Sequence, residues 1–211
     1  KKNQLKESIS LKIRQRLYNY TTEDIQEIIT PMAQNSKEAI GSMGNDTPLA
    51  VLSEKTQLIY NYFKQLFAQV TNPPLDGIRE KIVTDISLSL GNDKNLFEVS
   101  PRQCKKLKIQ NPVISNRDLH KIRQIEYKGF KSKTIKILYN KSKGLNGIED
   151  SLDEIVNEVE RSINKGFNII ILSDKNANKT NAPIPALLAC SFVHHSLNQR
   201  RKRSYFDIII E

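Results

Sequence analysis

The residues best suited to chemistry include two neighbouring histidines, and their spacing argues against a metal site. His194 and His195 are adjacent, so on a predicted helix their side chains point about 100° apart. Helical zinc sites need histidines at positions i and i+4, and the sequence contains no HExxH motif. We therefore favour a structural role for both histidines.

A group of carboxylates crowds one predicted helix, as paired-carboxylate catalysis would require. Its members are Glu149, Asp150, Asp153, Glu154, Glu158 and Glu160. They lie largely opposite the apolar stripe of that helix. We therefore interpret them as a solvated face and not as an active site.

The remaining candidates also have simpler explanations. Ser173 and Asp174 follow a predicted strand, where α/β folds bind ligands, but an Asx turn explains them without a ligand. Cys104 lies in a basic stretch, but the sequence identifies no ordered base beside it, and Cys190 fits a small core position. These cysteines are far apart and lack CxxC spacing, which indicates neither a disulfide framework nor a zinc or iron–sulfur site. We expect no catalytic, cofactor-binding or metal-binding residue in this chain.

The composition narrows the class of protein. A chain of 211 residues with 38% hydrophobic and 27% charged residues fits one or two globular domains. No segment approaches the roughly 18 to 20 consecutive apolar residues that cross a bilayer, and the basic N-terminus lacks the apolar block of a signal peptide. We expect no membrane partner.

The formal net charge of +10 is typical of proteins that bind nucleic acid, but its distribution is not. The densest basic groups are residues 200–203 (RRKR) and the lysines Lys105, Lys106 and Lys108. Neither group is interleaved with the aromatic residues that stack on bases. We interpret the charge as solvated surface and expect no nucleic-acid partner.

The secondary structure predicted along the chain begins with a helical N-terminal part. Thr21 and Asp24 have the spacing of a capping box, and the apolar residues that follow predict a short helix interrupted near Pro31. Glycine, asparagine and aspartate at residues 41–46, followed by Thr47 and Pro48, predict a structured loop.

Two further helices and a loop-rich middle region follow. Residues 55–70 carry a broad apolar stripe that ends at prolines 73 and 74. Asp76 is predicted to cap a helix that runs through Ile86 toward Gly91. Residues 92–132 predict loops with two short helical turns, the first beginning at Ser100 and the second capped by Ser115 or Asn116.

The C-terminal part alternates strands and helices. Strands are predicted at residues 134–139, 167–172 and 205–210. The first intervening helix carries Ile148, Leu152, Ile155, Val159 and Ile163 and ends before Gly166, and the second has Pro183 and Pro185 in its first turn. This βαβαβ order predicts an α/β fold with a parallel sheet and right-handed crossovers. Because the chain stops inside the last strand, we expect a fragment truncated at its C-terminus.

Two long motifs resemble the central domain of glutamate synthases. They are GSMGNDTPLAVLS with YNYFKQLFAQVTNPPLDGIRE, and APIPALLACSFVHHSL preceded by NIIILSD. The resemblance runs from about Thr22 to the end. The family usually has a proline near Gly77, a small residue at the position of Cys190 and often a third histidine at that of Ser196. None of these differences touches a known catalytic group.

The resemblance implies an NADPH-dependent or ferredoxin-dependent parent enzyme, an oxidoreductase. That enzyme hydrolyses glutamine, passes ammonia through an internal channel and reductively aminates 2-oxoglutarate, giving two glutamates. Residues 1–20 would then be a linker from a missing amidotransferase domain, and residues 21–211 an incomplete connecting domain without catalysis of its own. FMN and an iron–sulfur cluster would belong to a missing domain that follows. The electron donor would be ferredoxin or an NADPH-oxidising small subunit.

The same resemblance suggests a role for the structured loop. We expect Asn45, Asp46, Thr47 and Pro48 to line or brace the ammonia channel, with a loop that only joins helix to domain as the alternative. Frequent lysine, asparagine and isoleucine resemble the output of an AT-rich genome and favour the plastid stroma over a bacterial cytoplasm. The alternative function is an independent basic α/β module that binds an anionic ligand or RNA.

Overall fold

The computed structural model describes residues 10–36, 51–55, 57–63, 75–93, 95 and 97–211. The chain divides into two units, Lys1–Pro73 and Pro74–Glu211. None of the helices in the described ranges is long and apolar enough to span a bilayer. The predicted loop at residues 41–48 and the proline stop at residues 73 and 74 lie outside the described residues.

The regular structure described in the first unit is helical. It contains α1 (Leu11–Leu17), a π-helix (Asp24–Ile29), α2 (Thr30–Asn35) and a 3₁₀ turn (Ile59–Tyr62). The predicted capping box is confirmed: the Thr21 backbone N–H donates to Asp24 Oδ2 at 2.9 Å, and the Asp24 N–H donates to Thr21 Oγ1 at 3.0 Å. Of the predicted helix at residues 55–70, the structure describes residues 55 and 57–63, which form only that 3₁₀ turn.

Pro31 changes the helix around it without ending it. The π-helix runs up to Ile29, and α2 continues from Thr30 to Asn35 with Pro31 in its first turn. A proline has no N–H to donate to the preceding turn, so the regular hydrogen-bond ladder cannot pass through it. The predicted interruption near Pro31 is therefore a local change in helix type.

The second unit contains most of the regular structure. Its helices are α3 (Glu80–Val83), α4 (Asn116–Arg123), α5 (Gly144–Asn164) and α6 (Ala186–Gln199), with 3₁₀ turns at Pro101–Cys104, Lys141–Lys143 and Arg203–Tyr205. Its strands are β1 (Leu88–Leu90), β2 (Leu107–Ile109), β3 (Ser132–Lys136), β4 (Leu138–Asn140), β5 (Ile169–Ser173), β6 (Asn181–Pro183) and β7 (Asp207–Ile210).

The predicted helix from Asp76 toward Gly91 is wrong for most of its length. Asp76 Oδ1 accepts the Ile78 N–H at 2.8 Å, but the helix that follows ends at Val83. Strand β1 occupies the residues before Gly91 and pairs antiparallel with β2. The apolar stripe of the predicted helix stays exposed, so no packing stabilises a longer helix there.

The two predicted helical turns of the middle region are confirmed. Ser100 Oγ accepts the Arg102 N–H at 3.3 Å at the first turn, and Ser115 Oγ accepts the Asp118 N–H at 3.1 Å at the start of α4. Strands β1 and β2, however, were not expected. Each has three residues, which is too short for an alternating pattern to stand out.

The predicted parallel sheet is confirmed, with strand order β3-β5-β7. Ser132 lies opposite Ile169, and Ile169 lies opposite Asp207, with all pairs parallel. One face of the sheet packs on both α5 and α6, and the buried residues of this core are Ile135, Ile137, Leu152, Ile155, Val156, Val159, Ile170, Leu172, Ile184, Ala189, Val193, Leu197 and Phe206. A smaller cluster of Ile122, Phe130 and Ile169 covers the opposite side.

The predicted strand at residues 134–139 is two strands in two sheets. Ile137 separates them: its N–H donates to the Ser173 carbonyl oxygen, and its own carbonyl oxygen accepts the Ile184 N–H, both at 2.9 Å. Beyond it, β4 pairs antiparallel with β6, and this places Pro183 opposite Leu138. Pro183 therefore lies in a strand and Pro185 at the N-cap of α6, which corrects the prediction that both lie in its first turn.

Helix α5 ends as predicted, just before Gly166. The Gly166 N–H donates to the Ile163 carbonyl oxygen at 2.8 Å, and the Phe167 N–H donates to that of Ser162 at 3.1 Å. This pair of bonds is a Schellman motif, in which the residue after the cap is left-handed. Gly166 has φ of +83°, which glycine adopts without a steric cost.

Candidate functional site at the carboxyl edge of the parallel sheet

Polar side chains gather where strands β5 and β7 end. Ser173, the last residue of β5, donates its hydroxyl to Glu211 Oε2 at 2.6 Å. Arg123 Nη2 donates to the same oxygen at 2.6 Å, and Lys175 Nζ lies 3.5 Å from Oε1. The carboxylate that follows β7 is thus surrounded by three donors, two of them cationic.

Arg123 connects this carboxylate to the rest of the edge. It ends α4, its Nε donates to Thr134 Oγ1 on β3 at 3.2 Å, and its carbonyl oxygen accepts the Ser132 hydroxyl at 3.0 Å. The Asp174 N–H donates to the Glu211 carbonyl oxygen at 3.2 Å. The end of α4 is therefore bonded to β3 and to Glu211 after β7, and Glu211 in turn bonds to Ser173 at the end of β5.

The lowered pKa of the Glu211 carboxyl suits a structural ion pair better than a general base. Its partial burial raises the pKa of the carboxyl, but hydrogen bonds from Arg123 and Ser173 outweigh burial and leave the pKa below its ordinary value. A carboxylate with a lowered pKa is a weak proton acceptor, so it does not activate the Ser173 hydroxyl as a nucleophile. The arrangement stabilises the sheet edge.

The loop after β5 is a polar turn that begins at the Ser173 hydroxyl and the Asp174 backbone. The Lys175 N–H donates to Ser173 Oγ at 3.3 Å, and the Ala177 N–H donates to the Asp174 carbonyl oxygen at 3.2 Å. Asn178 Oδ1 then accepts the N–H groups of Thr180 and Asn181, both at 2.9 Å. These turns connect β5 to β6 and explain the polar composition of the loop.

The two histidines of α6 are arranged edge to face, with ring centroids 5.1 Å apart. Arg203 Nε donates to His194 Nδ1 at 3.0 Å, which connects α6 to the turn before β7. Across the described ranges, no three His, Cys, Asp or Glu side chains lie close enough together to hold a metal ion. The bond to Arg203 supports a structural role for His194, and that role stays a prediction for both histidines.

Some of the excess basic residues form ion pairs and hydrogen bonds within the chain. Glu160 on α5 accepts hydrogen bonds from Arg200 and from Lys202 Nζ, the latter at 2.6 Å. Arg203 Nη1 donates to the Phe206 carbonyl oxygen at 2.6 Å. The RRKR run therefore stabilises the packing of α5 against the C-terminal turn, which lowers the charge available to an anionic ligand.

The acidic face of α5 is only partly solvated. The four acidic residues nearer its N-terminus are exposed, in agreement with the prediction, and they are Glu149, Asp150, Asp153 and Glu154. Glu158 lies 3.9 Å from Lys133 Nζ, and Glu160 is held by Arg200 and Lys202. Glu160 is half-buried and ion-paired, so the interpretation of the acids as a solvated face is wrong for this residue.

The two cysteines differ in environment. Cys104 is exposed in the 3₁₀ turn before β2. Cys190 is half-buried on α6 against the main core, where burial raises the pKa of its thiol despite the nearby charge of Arg203. The predicted core position of Cys190 is confirmed.

Comparison with known proteins assigns the family. A family profile described as the glutamate synthase central domain matches residues 13–211. The chain belongs to this family. It is 41% identical over 198 residues to the glutamate synthase [NADPH] large chain of Bacillus subtilis, covering 94% of this chain and 13% of that protein. The family assignment confirms the resemblance carried by the sequence motifs.

Relatives of this glutamate synthase central domain differ in the electron donor that their names give. Glutamate synthase [NADH] of Schizosaccharomyces pombe is 39% identical, covering 92% of this chain and 9% of that protein. Ferredoxin-dependent glutamate synthase of Pyropia yezoensis is 36% identical, covering 93% of this chain and 13% of that protein. The chain thus spans about a tenth of the length of these relatives.

The predicted channel-wall residues have no described position, and the structure contains an ion pair that the sequence did not indicate. Asn45, Asp46, Thr47 and Pro48 lie outside the described residues. The bond between Arg123 and Glu211 was missed, because the two residues are far apart in the sequence. A basic residue in the last turn of α4 and an acidic residue directly after a buried strand were the only local signals.

Proposed function

We propose that this glutamate synthase central domain is a connecting domain of a longer enzyme. The proposal rests on the match of residues 13–211 to the central-domain family. The relatives that carry this domain are about ten times longer than this chain. In the longer enzyme, glutamine and water give glutamate and ammonia at one site. Ammonia, 2-oxoglutarate and two electrons with two protons give a second glutamate and water at another. The connecting domain holds the two sites in fixed relation.

The described chemistry of the second unit supports a scaffold role. The polar cluster at the carboxyl edge of the parallel sheet has its serine bound to a weakly basic carboxylate, and that carboxylate is held by Arg123. His194 accepts a hydrogen bond from Arg203 and so connects α6 to the turn before β7. A rigid sheet edge suits a domain whose contribution is geometric.

The redox cofactors of the proposed parent enzyme do not fit this chain. An iron–sulfur cluster is normally held by several cysteine thiolates, and the sequence contains only Cys104 and Cys190. These two lie on different elements, one exposed and one half-buried. The cluster therefore belongs, in this proposal, to another part of the polypeptide, and the family resemblance implies the same for FMN and the amidotransferase nucleophile.

Within the proposed function, Asn45, Asp46, Thr47 and Pro48 form or brace the wall of the ammonia channel. Their support is compositional: Asn45 and Asp46 favour a turn, Pro48 fixes its own φ angle, and the residue before a proline, Thr47, is restricted to extended geometry. A channel that keeps ammonia from water needs such a fixed wall.

The test is the coupling between the two half-reactions in the full-length enzyme. Thr47→Trp places a bulky side chain in the proposed wall, and Thr47→Ser is the matched control. We expect Thr47→Trp to release ammonia to solvent, so that glutamine hydrolysis exceeds glutamate formation from 2-oxoglutarate, while Thr47→Ser stays coupled. Unchanged coupling in Thr47→Trp would reject the channel-wall assignment and favour a loop that only joins two elements.

The electron donor and compartment need a separate measurement. Relatives named for NADPH, NADH and ferredoxin have similar identities to this chain, so similarity does not choose among them. We propose ferredoxin and the plastid stroma, on the AT-rich character of the sequence. Glutamate formation by the full-length enzyme with reduced ferredoxin, compared with NADPH, tests this choice; activity with NADPH alone would reject it.

A further inference from the structure

Asp76 and Gly77 form an Asp–Gly pair in the turn that precedes α3. Both residues are exposed, and the helix begins only at Glu80. An aspartyl carboxyl followed by glycine can close a five-membered ring with the backbone, because glycine has no Cβ to obstruct its nitrogen. A Cβ placed at Gly77 would meet no heavy atom within 4 Å, so ring closure has open space around it.

The Asp76 carboxyl points forward along the chain, toward the nitrogen that would attack it. Its Oδ1 accepts the Ile78 N–H at 2.8 Å, so the side chain lies over the Gly77 peptide group. Arg79 Nε lies 3.9 Å from Oδ2, and these two side chains are 80% and 56% exposed. An ion pair this long and this exposed holds the carboxyl weakly. The carboxyl is therefore directed at the Gly77 nitrogen and is free to react.

The chain contains one other glycine that follows an asparagine or aspartate, Gly147 after Asn146, and this pair lies within α5. The Cα–Cβ bonds of a helix tilt toward its N-terminus, so the Asn146 side chain points away from the Gly147 nitrogen. Gly147 is also buried, and a Cβ there would lie 2.9 Å from the Asn140 carbonyl oxygen. The helix thus blocks the ring closure that the turn before α3 permits.

We propose that Asp76 is a site of spontaneous isomerisation to isoaspartate in the folded protein. The Gly77 nitrogen attacks Asp76 Cγ, an N–Cγ bond forms, and the carboxyl hydroxyl leaves with the Gly77 N–H proton as water. Water then opens this succinimide ring. Cleavage between the nitrogen and the Asp76 backbone carbonyl carbon gives isoaspartate, whereas cleavage of the N–Cγ bond restores aspartate. The reaction needs no redox partner, and it does not depend on the proposed function.

The modification would change the start of α3. In isoaspartate the main chain runs through Cβ and Cγ, which adds one backbone carbon between Asp76 Cα and the Gly77 nitrogen. The side-chain oxygen that accepts the Ile78 N–H then becomes part of the main chain. Because α3 has four residues, all of them exposed, few other contacts hold it in place. We expect the structural change to stay local to this turn.

The first experiment measures isoaspartate at position 76 in the full-length enzyme. The protein is kept for several weeks at neutral pH, and electron-transfer dissociation of the peptide that contains position 76 distinguishes the two isomers. Gly77→Pro is the matched control, because a proline nitrogen carries no hydrogen to lose. Gly77→Ala keeps the N–H and adds a Cβ, and Gly77 lies outside the left-handed region, so alanine fits there.

We expect isoaspartate to accumulate at position 76 in the unsubstituted enzyme, to accumulate more slowly in Gly77→Ala, and to stay at its starting level in Gly77→Pro. A constant level in the unsubstituted enzyme would overturn the proposal. Equal accumulation in all three proteins would also overturn it, because the product would then not arise through the Gly77 nitrogen.

The second experiment tests whether the fold selects Asp76. In an unfolded chain an asparagine side chain closes the ring more readily than an aspartate at neutral pH, because a carboxylate is a poor acceptor for a nucleophile. In urea we therefore expect products to form faster at Asn146 than at Asp76. In the folded enzyme we expect the opposite order, since reaction at Asn146 requires local opening of α5. Faster reaction at Asn146 in both states would contradict the proposal.

Discussion

Residues 75–127 and residues 128–211 belong to one unit but use their apolar residues in opposite ways. In the first region, the buried apolar residues among those described are Leu90, Leu119 and Ile122, while others such as Phe97 are exposed. In the second region, three strands and two helices enclose the main core. The difference shows that apolar content forms a core only where long elements cover each other. Short elements leave apolar residues exposed.

The largest expected effect is on the free energy of unfolding, and it is tested by substituting one residue from each region. Leu172 is fully buried in β5, and Phe97 is 97% exposed. We expect Leu172→Ala to lower the free energy of unfolding by about 2–5 kcal/mol, because it leaves a cavity in the main core. Phe97→Ala should change it by less than about 0.5 kcal/mol. Urea denaturation of the 211-residue chain measures both, and similar losses would contradict the contrast.

A smaller effect is expected at the bond that joins the two regions. Arg123→Ala leaves the half-buried Glu211 carboxylate without its strongest donor, and we expect a loss of about 1–3 kcal/mol in the free energy of unfolding. Lys121→Ala is the control, because it removes an exposed ion pair on the same helix, whose contribution is about 0–1 kcal/mol. Equal urea midpoints for the two variants would show that the Arg123 bond does not stabilise the edge.

The pH dependence of stability should carry opposite contributions from the two ends of β7. The lowered pKa of Glu211 means that its stabilisation is present above the ordinary carboxyl value, about 4.3, and is lost as the pH falls through the folded-state pKa. Burial raises the pKa of Asp207, although its carboxylate accepts the Gly91 N–H at 2.6 Å. Its contribution therefore falls as the pH rises through the raised pKa.

Two variants separate these contributions. Between about pH 3 and pH 6, we expect Glu211→Gln to show a shallower loss of stability in acid and Asp207→Asn a steeper one, both relative to the unsubstituted chain. Urea midpoints measured across this range check the signs. Parallel curves for all three proteins would contradict both assignments.

The smallest expected effect is chemical, and it uses the one cysteine in each region. Cys104 is exposed, whereas burial raises the pKa of Cys190. Because the thiolate is the reactive species, we expect Ellman's reagent to modify Cys190 at least about fivefold more slowly than Cys104. Cys104→Ser and Cys190→Ser variants assign the two phases. A single fast phase for both thiols would contradict the prediction, because it would show that Cys190 on α6 is as accessible as Cys104.

The sequence predicts the second region better than the first, and the reason is element length. Helix α5 has 21 residues, so its apolar period repeats several times, and its end at Gly166 has a specific backbone signal. The helix predicted toward Gly91 had only a few apolar residues to support it. Its apolar pattern fitted a helix locally, but nothing in the described structure packs against that helix.

The candidate site was predicted in part. Ser173 was placed correctly at the carboxyl edge of the sheet, because a buried apolar run followed by polar residues marks such an edge. Its partners Arg123 and Glu211 depend on the docking of α4 beside strands distant in sequence. No local pattern encodes that docking. The channel-wall residues 45–48 remain a prediction.

Strand order in the parallel sheet bears on how this unit folds during synthesis. Strands β3, β5 and β7 are neighbours in the same order in which they leave the ribosome, and each connecting helix packs on the same face. Strand β3 therefore has its partner as soon as β5 emerges, and β5 gains its second partner when β7 emerges. Such a sheet can assemble stepwise, with each newly made strand extending a structure that has already formed.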